Sequence, residues 1–231
     1  MGLRSIKDQL INHFLSFRNE ETAEQMSKYM RNKFDFIGLK KPQRQSCCRE
    51  FWSDREVPQG EDLIELVSEL WKSPFREVHY HALDLMYSQI KQADINWINL
   101  WEGMILTNSW WDSVDYLAPR LIGNVFLREP EQAVIYSKKW IESDNFWLQR
   151  TAIIFQLHYK DKTDEDILFN SVLLRADSKE FFVQKGSGWA LRQYSKTAGE
   201  VVKCFIGENE NKLSKLTCRE GLKWLKSKGK L

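Results

Sequence analysis

Val78-His79-Tyr80-His81-Ala82-Leu83-Asp84-Leu85-Met86 and Val114-Asp115-Tyr116-Leu117-Ala118-Pro119-Arg120-Leu121-Ile122 carry the same apolar spacing at an offset of 36 residues. The offset continues from Ala118 to Ile154 and from Ile154 to Ala190, and Leu85, Leu121 and Leu157 stay in phase. Around these matches apolar residues recur at helical intervals, and no convincing alternating strand appears. Helical segments that return at this period bury their apolar faces only by stacking on their neighbours. The expected fold is therefore all-α, an α-α superhelix (solenoid) of about six helix pairs. Room remains for about two degenerate pairs before residue 70 and one after residue 200. With no evident linker, residues 1–231 read as one domain. Such a stack curves, and its inner helices line a concave groove suited to something long.

Composition narrows the class. Hydrophobic residues are 42% and charged residues 29% of the 231, so the chain is neither disordered nor membrane-embedded. Eleven glycines and five prolines are too few for a sandwich or barrel with a turn every ten residues. The apolar runs are about four residues long, as in Ala152-Ile153-Ile154-Phe155, against the roughly twenty of a spanning helix. Lys7 and Asp8 stand where a secretory signal needs an apolar run, and Ile6 stands where a myristoylation signal needs Ser or Thr. Four cysteines without a C-x-x-C fit a reduced chain, and a cytoplasmic location is expected. The net charge of +2 hides an asymmetry: residues 179–231 carry twelve Lys/Arg against five Asp/Glu. A basic C-terminal third points weakly to a polyanion partner.

Helix starts are visible at Pro74 after Ser73, at Ser143-Asp144, and at Ser109, which with Asp112 reads as a capping box. Gly38 followed by Pro42 reads as a stop and a restart. On the helix after Ser109, Trp110, Val114, Leu117, Ala118 and Leu121 form the core stripe. Trp111 and Asp115, four apart, are neighbours on its flank. They suit either a core edge with an ion pair or a functional indole and carboxylate. A helix from about Asn145 to His158 is apolar nearly all round, with Arg150 inside it. That arginine needs an anion, either Asp115 in the preceding repeat or a phosphate, or both. Lys185, Trp189, Arg192 and Lys196 share one face of a later helix. Trp189 there is either shielded by basic side chains or an aromatic platform in a phosphate-binding groove. His13, His79, His81 and His158 are not spaced as metal ligands, and no P-loop, nucleophile elbow or H-E-x-x-H occurs.

Taken together, these residues resemble the AlkD-like family of HEAT-like-repeat DNA alkylation-repair glycosylases. The matching pieces are Phe36-Ile37-Gly38-Leu39-Lys40-Lys41-Pro42-Gln43-Arg44, Arg76-Glu77-Val78 with Ala82, Ser109-Trp110-Trp111-Asp112-Ser113-Val114-Asp115, Trp147-Leu148-Gln149-Arg150 with Ala152, and Lys185 with Gly188-Trp189-Ala190-Leu191-Arg192. They run in family order over roughly residues 30 to 225. The resemblance implies Trp111, Asp115 and Trp189 as catalytic residues, and Arg150, Lys185, Arg192 and Tyr29 as DNA-binding residues. Gly186-Ser187 departs from the better helix formers usual in the family, and this predicts a loose stretch of helix.

The expected protein is a monofunctional monomer without metal or cofactor: no lysine stands in an obviously catalytic position, and the histidines are not spaced as ligands. By the resemblance, its partner would be double-stranded DNA containing N3- or N7-alkylated purines. It would hydrolyse their N-glycosidic bond without flipping the base. Two other readings fit the architecture: a peptide-binding scaffold, and a catalytically silent relative that binds bent or branched DNA.

Overall fold

The structure, a computed structural model, describes residues 3–231. These are helical apart from turns and one isolated bridge between Asp35 and Phe75, as the all-α reading requires. They divide into two compact units, one up to Gln92 and one from Ala93 onward.

The first unit contains α1 (Leu3–Leu15), α2 (Glu20–Tyr29), α3 (Lys41–Phe51), α4 (Gly60–Trp71) and α5 (Arg76–Ser88). The packing of α1 on α3 and α4, and of α5 on α3 and α4, gives two stacked pairs. Leu10, Phe14, Leu63, Leu66, Leu70, Ala82 and Met86 lie between them, at 0% exposure. Pro42 opens α3, as the Gly38–Pro42 spacing predicts. Gly38 is required twice over. Its φ is +98°, and a Cβ there would lie 2.1 Å from the Asn19 carbonyl oxygen. The loop around it is fixed by Glu77, fully buried in the first turn of α5. The Glu77 carboxylate accepts from the backbone N–H groups of Ile37 at 3.0 Å, Gly38 at 2.8 Å and Leu39 at 3.1 Å. The Phe36–Arg44 and Arg76–Glu77 motifs thus meet through one carboxylate. The start signal at Pro74 is displaced: Ser73 Oγ accepts from the Phe75 N–H, and α5 begins at Arg76.

The second unit contains α6 (Ile98–Leu106), α7 (Trp111–Tyr116), α8 (Gly123–Phe126), α9 (Pro130–Ile141), α10 (Phe146–Ile154), α11 (Glu165–Leu174), α12 (Phe181–Tyr194), α13 (Gly199–Glu208) and α14 (Lys215–Ser227). It is layered. One row holds α7–α8, α10, α12 and α14, and the other holds α6, α9, α11 and α13. Contacts run α7 to α10, α10 to α12 and α12 to α14 within the first row, and α10 to α9 and α12 to α13 between rows. Four helix pairs result. The starts of α7, α10, α12 and α14 fall 35, 35 and 34 residues apart, the interval behind the sequence repeat. Its in-phase residues Ala118, Ile154 and Ala190 are all buried.

Two local expectations fail here, and a third feature is new. The Ser109–Asp112 capping box does not form: Trp110 is the N-cap, and the Ser109 hydroxyl donates back to the Ile105 carbonyl. The helix expected to run to His158 ends at Ile154. Beyond it, Gln156 bonds both the N–H and the carbonyl of Asp164, and the Tyr159 hydroxyl donates to the Gly123 carbonyl at 2.6 Å. Those side-chain anchors pull the chain away from the helix axis. Between α7 and α8, Leu117–Ile122 is a π-helical segment. Pro119 lies inside it and cannot donate to the carbonyl four residues back, which belongs to Asp115, so the turn widens.

Candidate functional site

In the second unit, aromatic rings fasten the N-terminal ends of α7, α10 and α12. Trp110, Trp147 and Phe182 form a triangle with centroid separations of 5.8, 5.2 and 4.8 Å. Trp110 is therefore core, as its stripe indicates. About one turn further along, Asp115 on α7 faces Arg150 on α10.

Arg150 grips Asp115 with both prongs. Nε donates to Oδ1 at 2.8 Å and Nη2 to Oδ2 at 2.9 Å, the bidentate geometry that makes Arg–carboxylate pairs strong. Nη1 donates to the Phe182 carbonyl on α12 at 2.5 Å. The guanidinium carbon stands 5.9 Å from the centre of the Trp189 ring, at the outer reach of a cation–π contact. One buried arginine thus joins three helices. Of the two anions left open for Arg150, the structure supplies Asp115. At 3% exposure, Arg150 is a buried cation with its Nε, Nη1 and Nη2 all directed to protein acceptors.

Asp115 differs from its partner in keeping an open edge, with its side chain 19% exposed. Trp111, one helical turn before it, and Trp189 on α12 are half-buried. Burial pushes the Asp115 carboxyl above the usual carboxylate range. Arg150 pulls it back by charge and hydrogen bonding, Asp112 adds a small upward push, and the net shift is upward.

The other cations of the α12 face are tethered. Lys185 Nζ lies 2.8 Å from Glu220 Oε1, and Arg192 Nη1 donates to Glu220 Oε2 at 3.0 Å. Glu220 is on α14, with its side chain only 8% exposed. Lys185 and Arg192 retain 39% and 27% exposure. Lys196 bonds Gln193 at 2.7 Å. Tyr29 belongs to the first unit, where it ends α2 with 70% exposure. It edges a depression of about 190 Å³ shared with Met26, Phe36 and Tyr80. Among the described residues no three His, Cys, Asp or Glu side chains gather as a metal set. No described helix is long and apolar enough to cross a membrane.

A family model described as DNA alkylation repair enzyme matches residues 10–225. The chain belongs to that family. A solved structure of a predicted DNA alkylation repair enzyme from Enterococcus faecalis is similar at 31% identity and a TM-score of 0.83. The match covers 90% of this chain and 96% of that one. No curated protein matches the chain. Membership in the alkylation repair family makes repair of alkylated DNA the setting in which the Asp115–Arg150 pair is to be understood.

Within this member of the repair family, two participants were not singled out from the sequence. The Phe182 carbonyl carries no sequence signal, because any residue supplies one. Glu220 had a faint one, as an acid inside the basic C-terminal third. Gly186, by contrast, was singled out as a poor helix former, and it lies inside α12, which runs from Phe181 to Tyr194.

Proposed function

We propose that this repair-family member is a monofunctional DNA glycosylase. Its substrates would be cationic N3- and N7-alkylated purines in duplex DNA, excised without base flipping. The observation that carries the reading is the Asp115 carboxylate, gripped on one side by Arg150 and open on the other.

A purine alkylated at N3 or N7 already bears positive charge. When its C1′–N bond breaks, the bonding electrons neutralise the base, and positive charge moves to the deoxyribose as an oxocarbenium-like species. Water then adds to C1′ and loses a proton. No general acid is needed at the leaving group, so a site built from one carboxylate and two indoles suffices. Trp111 and Trp189 offer π faces to the developing cation, at roughly 0.5–2 kcal/mol each. A carboxylate about 4 Å away contributes on the order of 4 kcal/mol at an effective dielectric near 20. Arg150 offsets part of that field, so the figure is a ceiling. The sum corresponds to a factor of about 10⁴–10⁶, enough for a labile cationic lesion and small for a stable neutral base. Asp115 also accepts the proton of the attacking water.

In this proposal Arg150 is a positioning residue, and Lys185, Arg192 and Tyr29 contact the DNA backbone and groove. The protein acts as a monomer in the cytoplasm, without metal or cofactor. The direct test is incubation of methylated duplex DNA with the protein. Release of methylpurines above spontaneous depurination is the expected result. Tight DNA binding with no release would instead establish the catalytically silent relative, and no salt-dependent DNA binding would establish the peptide scaffold.

A further inference from the structure

Arg150 lies against α12 at Gly186. A Cβ built on Gly186 would stand 2.9 Å from Arg150 Nη1 and 3.4 Å from its Cγ. No turn requires glycine here, because the residue sits in the interior of α12 and has no positive φ. Alanine at such a site ordinarily stabilises a helix by about 1 kcal/mol. The glycine therefore acts through the space it leaves, and the atom nearest that space is Nη1 of Arg150, with the Arg150 Cγ and the Ile154 Cγ2 at 3.4 and 3.5 Å, in or near ordinary contact.

We propose that Gly186 is a positioning residue of the site: by withholding a Cβ it lets Arg150 hold both oxygens of Asp115 and the Phe182 carbonyl at once. A methyl group at 186 displaces the tip of a flexible side chain and leaves the backbone where it is, so the fold survives while the grip loosens. Gly188, two residues on, is different in kind. A Cβ there would lie 2.5 Å from Glu220 Cβ and 2.9 Å from the Thr217 carbonyl oxygen, and it would push α14 away as a body.

The charged groups facing Asp115 are Arg150 from α10 and Asp112 from its own helix. The α12 contributions to the cluster are the neutral Phe182 carbonyl and the Trp189 ring. Loosening Arg150 weakens the one downward pull on the Asp115 carboxyl and leaves its burial in place. The carboxyl then holds its proton to higher pH.

The test is a carboxyl ¹³C NMR titration of Asp115 in the full chain, wild type against Gly186→Ala. Gly103→Ala, where a Cβ meets open space, serves as the control. The expected result is an upward displacement of the Asp115 midpoint by about one pH unit, a tenfold change in proton affinity, with thermal stability retained. An unchanged midpoint in a folded Gly186→Ala overturns the proposal. If that variant does not fold, Arg150→Lys alone is compared with Arg150→Lys plus Gly186→Ala. No further displacement on adding the alanine supports action through Arg150, and an additive one overturns it. The titration does not depend on the glycosylase reading. If Asp115 moves but wild type releases no methylpurine, the function fails and the role of Gly186 stands.

Discussion

Glu77 and Asp115 are both carboxylates held inside their own helical unit, and they are put to opposite use. Glu77 has no exposed surface, and its oxygens are occupied by three backbone N–H groups of the loop it anchors. A carboxylate has about four acceptor positions, and what Glu77 accepts comes from its own chain, with no side open to solvent. Asp115 receives two hydrogen bonds from one arginine and keeps an edge toward solvent. Burial alone does not separate a structural acid from a chemical one. What separates them is whether acceptor capacity remains on a side that another molecule can reach.

The sharpest way to break this contrast is to remove one charge from each. Asp115→Asn is expected to slow methylpurine release by about 10³-fold, the equivalent of the roughly 4 kcal/mol ceiling on its field. Its affinity for undamaged DNA should stay within a few-fold of wild type. Equal losses in excision and binding would make Asp115 a structural residue like Glu77. The wild-type rate carries its own check. Asp115 works ionised and its carboxyl lies above the usual range, so activity should fall on acidification through a midpoint higher than that of an ordinary aspartate, near 3.9. An acid limb at or below that value would detach the rate from this group.

Glu77→Ala should do the reverse. It leaves three buried N–H groups of the Ile37–Leu39 loop without their acceptor, at about 1–3 kcal/mol each if none relaxes. A drop in Tm of about 10 °C is expected, since about 1 kcal/mol shifts Tm by 2–4 °C at this chain length. The excision rate per folded molecule should be unchanged. A lost rate at unaltered Tm would erase the distinction between the two carboxylates.

The sequence made the periodic features legible and hid those that depend on exact placement. The helix-pair architecture followed from the offset linking Ala82, Ala118, Ile154 and Ala190, because burial repeats with the stack. The Asp115–Arg150 pair was legible as one of two options, since a lone arginine in an apolar helix demands an anion. The capping box at Ser109 misled, because Ser109 bonds the helix before it. The end of α10 was hidden because it is set by side-chain bonds to loop and helix backbone, from Gln156 to Asp164 and from Tyr159 to Gly123, which carry no periodic signal. The π segment at Leu117–Ile122 was not foreseen, because an apolar pattern alone does not reveal a turn one residue wider. The tethering of Lys185 and Arg192 to Glu220 was invisible, because a basic stripe reads the same whether or not an acid from the next pair lies under it.

That third acid, Glu220, stands between the two extremes and gives the smallest and most discriminating effect. Its carboxyl is held below the usual range, chiefly by the hydrogen bond from Lys185, which outweighs burial. A depressed carboxyl stabilises the fold above its unfolded pKa, and that contribution is lost as pH falls through the folded value. Its oxygens are occupied, as in Glu77, yet its partners are the half-exposed cations flanking Trp189. Glu220→Gln should therefore add about one effective positive charge to that face. DNA affinity at low salt should rise a few-fold, and the salt dependence should steepen by up to about 0.9 in slope if one more phosphate is neutralised. A steeper slope with unchanged excision would mean that Glu220 restrains binding only. A slope identical to wild type would place Lys185 and Arg192 with Arg150, as cations whose anions are internal, and would move the DNA path off this face of α12.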